Sequence, residues 1–152
     1  MKYKDKKRRK RKSFLPIRHD KYSLYEILRQ VRFLPKKLKF MGKNKVLCGK
    51  DCKVNFDGHM VNMASDRLKL FFNNHTCIMC GIEGSFFALE SNNESEGYHF
   101  NLYALDSLGN EILMTKDHII PKSHGGKNRI DNYQTMCTKC NSLKGDQIIN
   151  DI

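Results

Sequence analysis

Two Cys-x-x-Cys pairs, Cys77 with Cys80 and Cys137 with Cys140, constrain this chain more than any other feature of its sequence. A two-residue spacer lets both sulfurs of a pair face one ion, and zinc prefers four soft donors in a tetrahedron. Gly81 follows the first pair and Asn141 the second. The four cysteines therefore read as one closed, structural Zn²⁺ site, because thiolate fills every position and leaves none for water or substrate. The 56 residues between Cys80 and Cys137 must then fold so that their ends meet at the ion. Buried free thiols or a redox pair are the alternatives. Cys48 and Cys52, spaced C-x₃-C with His59 downstream, read as free thiols rather than as a second ion site.

Length and composition bound the class. The 152 residues suffice for one domain, or one domain with an appendage. At 39% apolar and 29% charged the chain reads as soluble and globular. No run approaches the roughly 20 apolar residues that cross a bilayer, and the N-terminus lacks the apolar stretch of a secretory signal. A cytoplasmic protein with reduced thiols and no membrane partner is the expectation. The formal net charge is +12, of which the first 12 residues, "MKYKDKKRRKRK", supply nine basic and one acidic group, or +8; the other 140 carry +4. Residues 1–20 read as a basic disordered tail. Its natural partner is a polyanion, since each neutralised phosphate releases condensed counterions.

Residues 21–74 read as a helix and strand extension and a candidate DNA-binding element. Ser23 and Glu26 form a capping-box pattern ahead of Leu24, Ile27, Leu28 and Val31, which predicts a helix over about 23–33, stopped by Pro35. Residues 36–48 and 52–63 alternate between glycines and predict short strands. Ser65 and Asp66 open a second helix carrying Leu68, Leu70, Phe71 and Phe72. Residues 75–152 read as a second unit. A hairpin spans "SFFALES" and "YHFNLYAL", and a strand over "EILMTKD" ends at Asp117 and His118. A Pro- and Gly-rich loop covers 121–131, followed by a short helix over 129–135 and a last helix over about 141–149.

Cutting a phosphodiester at neutral pH needs an activated water, neutralised charge on the phosphate and help for the leaving oxygen. One hard cation and one placed histidine can supply these. Asp117 offers a carboxylate to a metal, while His118, next along a strand, is aimed to the other face; imidazole is the ordinary general base near neutrality. Asn141, at the start of the last helix, brings an amide and free N–H groups toward a phosphate. Taken singly, each has a plainer reading: a strand-end Asp, a surface His, and helix caps at Asn132 and Asn141. Lys122, Lys127 and Lys144 are candidate phosphate contacts. His124 reads as a loop residue, and His19, His59, His75 and His99 as structural or surface residues.

The stretch "DHIIPKSHGGKNRIDNYQTMCTKCNSLKGD", with "CIMCG" upstream, resembles the core of the HNH endonucleases, the ββα-metal nucleases, in the zinc-stapled form common in phage and homing enzymes. The likeness covers 77–147. It implies an α+β fold with a ββα-metal core stapled by the Cys₄ zinc site, carrying an N-terminal α/β extension and the basic tail. It further implies that Asp117 binds the metal, His118 acts as general base, Asn132 holds the loop and orients the histidine, and Asn141 is the second metal ligand. Asn141 stands where many members have His. An amide oxygen is the harder ligand, so Mg²⁺ or Mn²⁺ is expected at this second site. The implied partner is double-stranded DNA, with a homodimer or a phage complex as candidate assembly. The alternatives are a zinc-stabilised DNA-binding module without catalysis and a nickase dependent on a partner complex.

Overall fold

The computed structural model describes residues 15–31 and 52–149. Among them the order is β1 (Ile17–Ser23), α1 (Leu24–Leu28), β2 (Lys53–Phe56), β3 (His59–Asn62), α2 (Asp66–Asn73), β4 (Gly84–Ser91), β5 (His99–Leu105), β6 (Glu111–His118), β7 (Tyr133–Cys137) and α3 (Thr138–Lys144). One sheet runs β1-β4-β5-β6-β7, with every neighbouring pair antiparallel, and β2 and β3 form a separate hairpin. That hairpin turns through Asp57 and Gly58, both at positive φ (50° and 90°). Such a turn matches the twist of the two strands it joins.

Local chemistry starts the helices. Ser23 Oγ accepts from Glu26 N at 3.2 Å and opens α1, and Ser65 Oγ accepts from Leu68 N at 3.3 Å and opens α2. The first helix is shorter than the sequence predicts, giving way to a turn at Arg29; Pro35 and the strand expected over 36–48 lie outside the described residues. Leu68 and Phe71 on α2 pack with Ile27, Val61 and Met63 against Phe87, Leu89, Leu102 and Met114 of the sheet. Removing the fully buried Phe71 side chain would cost about 3–5 kcal/mol. The core thus runs straight across residue 74, where sequence reading placed a domain boundary.

The edge strand β1 corrects another boundary. Ile17–Asp20, assigned to the tail from sequence, are strand residues, with Ile17 opposite Ser91 and Tyr22 opposite Phe87. The basic run of residues 1–12 lies outside the described residues. Interior strand β4 buries five residues in succession, Phe87 to Ser91, including the carboxylate of Glu90. Glu90 accepts from Arg18 Nε (2.7 Å), Asn101 Nδ2 (2.8 Å) and the Tyr103 hydroxyl (3.0 Å). Arg18 also reaches Glu111 at 2.7 Å. An enclosed carboxylate needs all its donors, so this network pins β1, β5 and β6 to the centre of the sheet.

Three further expectations change. Residues 129–135 are not a helix: a single 3₁₀ turn over Ile130–Asn132 leads into β7. Tyr133, Thr135 and Cys137 alternate there with Gln134 and Met136, the period of a strand, and pair with His118, Lys116 and Met114 of β6. The last helix begins at Thr138 rather than near 141 and stops before Gly145, because the Cys137 sulfur caps it by accepting from Cys140 N at 3.4 Å. Cys52 is buried and disulfide-bonded, not a free thiol; Cys48 lies outside the described residues. Together β6, the 119–132 loop, β7 and α3 make a ββα unit within an α+β fold.

Candidate metal centre and catalytic site

The knuckle at Cys77 is built by its backbone. Cys77 N donates to Ile82 O and Gly81 N donates to Cys77 O, both at 2.9 Å, with Gly81 at φ +73° where a side chain would strain the turn. Ile78 N then donates to Thr135 O at 3.0 Å, docking the knuckle on β7 beside the second pair. All four sulfurs, of Cys77, Cys80, Cys137 and Cys140, come within 4.8 Å of one another, and Cys80 and Cys137 approach to 3.8 Å. A tetrahedron with Zn–S bonds of about 2.3 Å has edges of about 3.8 Å, so this donor set fits zinc. Burial opposes ionisation of Cys77, yet the N–H groups of Cys137, Cys80 and Met79 outweigh it and bring the thiol down to about 7. Burial, with the three neighbouring sulfurs, pushes Cys140 far up. Four thiolates this close are stable together only around a cation.

The strand end of β6 carries the second constellation. Side chains alternate, so Thr115 and Asp117 face α3 while Lys116 and His118 face the other way. Asn141 Nδ2 donates to Thr115 Oγ1 at 3.0 Å, and one turn later Lys144 Nζ meets Asp117 Oδ2 at 3.0 Å. Gln134 Nε2, opposite Asp117 on β7, donates to the same Oδ2 at 2.9 Å. Both contacts fall on one carboxylate oxygen. Oδ1 has no partner among the described residues and is not an orphaned buried atom, so it opens to solvent.

His118 is half-buried at the end of β6, its ring edge against Tyr133 with centroids 5.0 Å apart. Its Nε2 lies 2.9 Å from Asn128 Oδ1. An amide oxygen only accepts, so Nε2 carries the hydrogen and Nδ1 holds the basic lone pair. Asn132 holds the loop: its Oδ1 accepts from Ile120 N (2.9 Å), and its Nδ2 donates to Ile120 O (3.1 Å) and Lys127 O (3.0 Å). It meets the histidine through the backbone, Ile119 N donating to Asn132 O at 3.0 Å, while Asn128 contacts the ring itself. Gly126 makes the fold-back possible, since a Cβ there would lie 1.7 Å from Ile120 O.

The structure brings Asp117, His118, Asn132 and Asn141 to one end of the ββα unit, with two differences from the expected arrangement. Asn141 is the fourth residue of α3, so the free N–H groups of the helix start belong to residues 138 and 139, that of Cys140 being given to the Cys137 sulfur. Lys144 is no exposed phosphate contact: it is 3% exposed and spends its ammonium on Asp117 and, at 3.0 Å, on the backbone oxygen of His118. Lys122, His124 and Lys127 are exposed on the loop. Sequence reasoning missed Asn128 and Gln134 and gave Lys144 another role; the two-residue alternation of "YQTMC" was the signal that could have placed Gln134 beside Asp117. A carboxylate oxygen open to solvent and an amide oxygen on the same side of β6 suit a hard divalent cation, which needs few protein ligands when phosphate and water complete its shell.

Residues 107–151 match the family model of the HNH endonucleases. No curated protein and no solved structure matches the chain. Among the described residues no helix is long and apolar enough to cross a membrane.

Proposed function

We propose that this chain, whose residues 107–151 form an HNH endonuclease domain, is a divalent-metal-dependent DNA endonuclease of the zinc-stapled kind. The observation that carries this reading is the division of labour at the end of β6. Asp117 offers a free oxygen on the α3 side, and His118, held through Nε2 by Asn128, keeps a basic nitrogen on the other. Asp117 and Asn141 would hold Mg²⁺ or Mn²⁺, which when bound neutralises charge on the scissile phosphate and the departing oxygen.

His118 Nδ1 removes the proton from the attacking water, and Asn128 stabilises the imidazolium that results by keeping Nε2–H hydrogen-bonded. Asn132 keeps residues 120–127 folded back so that Asn128 stays in reach. Lys144 and Gln134 engage Oδ2 of the Asp117 carboxylate, which would leave Oδ1 to bind a cation. Cys137 links the two sites: its sulfur belongs to the zinc set and its position caps the helix that carries Asn141. Bond breakage leaves 5′-phosphate and 3′-hydroxyl ends, as the family resemblance implies. One such site per chain cuts one strand, so a double-strand break requires a homodimer or a partner complex. The basic run at the N-terminus adds sequence-independent grip, and the two knuckles agree with a phage or homing setting.

The test is conversion of supercoiled plasmid to open-circular or linear DNA with Mg²⁺ or Mn²⁺, wild type beside His118→Ala. Loss of a general base lowers the rate by about 10²–10⁴ and leaves DNA affinity nearly unchanged. Equal losses of cutting and binding would remove the general-base role. If zinc-loaded wild type binds DNA but never cuts it, the domain is a binding module.

A further inference from the structure

Where β5 and β6 diverge, a cleft of about 340 Å³ opens beside the start of α2, lined by Asn62, Ser65, Arg67, Tyr98, His99 and Lys116. Strands β5 and β6 are paired only from Tyr103–Leu105 to Glu111–Leu113, so nothing bridges them at this level. Three of the lining side chains are basic. Arg67 is largely enclosed, yet no carboxylate among the described residues lies within ion-pairing distance of it. Its one side-chain hydrogen bond goes to the neutral Asn101 Oδ1. Asp66 also borders the cleft but is exposed at the first turn of α2.

An enclosed guanidinium without a counter-charge is costly, and the cost falls when an anion arrives. Burial and the Arg67 charge together hold His99 below its ordinary value, so that ring stays neutral and available as a donor rather than adding repulsion. Lys116 sits 3.9 Å from the centre of the Tyr133 ring, whose other neighbour is His118. Lys116 and His118 are two residues apart on one face of β6, roughly 7 Å along the strand. The cleft is therefore next to the general base on its own side of the sheet. Guanidinium retains four N–H donors beyond the one given to Asn101, in the fork that fits phosphate oxygens.

We propose that this cleft holds a backbone phosphate of the nucleic-acid strand, next to the one cut beside His118, with Arg67 and Lys116 as its charged contacts. The inference rests on the nuclease reading and extends its substrate track into the part of the chain that the family model does not cover.

The experiment compares wild type, Arg67→Gln and Lys116→Gln, each zinc-loaded, for binding of a short DNA duplex from 50 to 200 mM salt in Ca²⁺ to suppress cutting. Glutamine can keep the bond to Asn101, and unchanged near-UV circular dichroism verifies the fold. Each variant is expected to lose one unit-charge contact, lowering the slope of log K against log[salt] by about 0.9; across that salt range its affinity falls about 3.5-fold less than that of wild type. The His99 ring resonances of wild type should also shift on adding duplex, a readout independent of the variants. Unchanged slopes, with His99 unmoved while wild type still binds and cuts, overturn the phosphate site and leave the nuclease reading standing. Failure of wild type to bind nucleic acid at any salt overturns both.

Discussion

Lys144 offers the sharpest test of how the carboxylate is positioned. Its side chain is 1% exposed and its ammonium lies 3.0 Å from Asp117 Oδ2 and 3.0 Å from His118 O. Lys144→Met keeps the shape and removes the charge. Breaking a buried ion pair by removing one partner costs about 3–5 kcal/mol, because the other charge stays enclosed. Asp117 keeps the Gln134 donor and an oxygen open to solvent, which puts the expected loss near the low end, about 3 kcal/mol. For a chain of this size that corresponds to a fall in melting temperature of roughly 10 °C. Adding Asp117→Asn removes the uncompensated charge, so the double variant should regain at least half of the loss; the two sites share one interaction and cannot be additive. Thermal unfolding followed by circular dichroism at pH 7, with zinc saturated, measures all three. Mn²⁺ supplies the missing positive charge and should raise the melting temperature of Lys144→Met by more than it raises that of wild type. If Lys144→Met lies within about 1 kcal/mol of wild type, or the double variant is the sum of its parts, Lys144 is mere packing.

Two other outcomes follow from the sites. One zinc per chain is expected by elemental analysis, and stripping it should abolish cooperative unfolding, since structural zinc contributes about 10–16 kcal/mol in small zinc domains, comparable to the whole stability of an ordinary one; a zinc-free chain with an unchanged transition would remove the ion from the fold. Because the folded state holds His99 below its ordinary value of 6.5, the unfolded chain binds that proton more tightly, so stability is full above 6.5 and is lost as pH falls through the window beneath it. His99→Gln should therefore show a smaller fall in urea midpoint between pH 7 and pH 5 than wild type, and parallel profiles would contradict the shift.

Elements whose cause is local were legible in the sequence. Ser23 and Ser65 cap the helices they announce, the β4–β5 hairpin forms from two apolar segments around a polar loop, and β6 follows its alternation. Elements made by distant partners were not. β1, "IRHDKYS", is polar and charged, and only pairing with β4 and the Glu90 network makes it a strand. β7 is five residues long, too short for its period to outweigh a helical reading without β6 alongside. The expectation for Asp117, His118, Asn132 and Asn141 came from the resemblance of their motif to the HNH endonucleases, not from spacing alone. The burial of Lys144 could not, since lysine is almost always exposed unless paired, and neither could Asn128, whose reach to His118 exists only after Asn132 and Gly126 close the loop.

The first strand of the sheet has to wait for its partner. Ile17 pairs with Ser91, so 74 residues separate the two in the chain. At about 5–20 residues per second, a ribosome takes roughly 4–15 s to deliver the second after the first. During that interval the strand has an unpaired edge, open to any other extended chain nearby. A shortened chain beginning at residue 75 would bring the same hazard from the other side, leaving β4 as a bare edge able to take the first strand of a full-length copy.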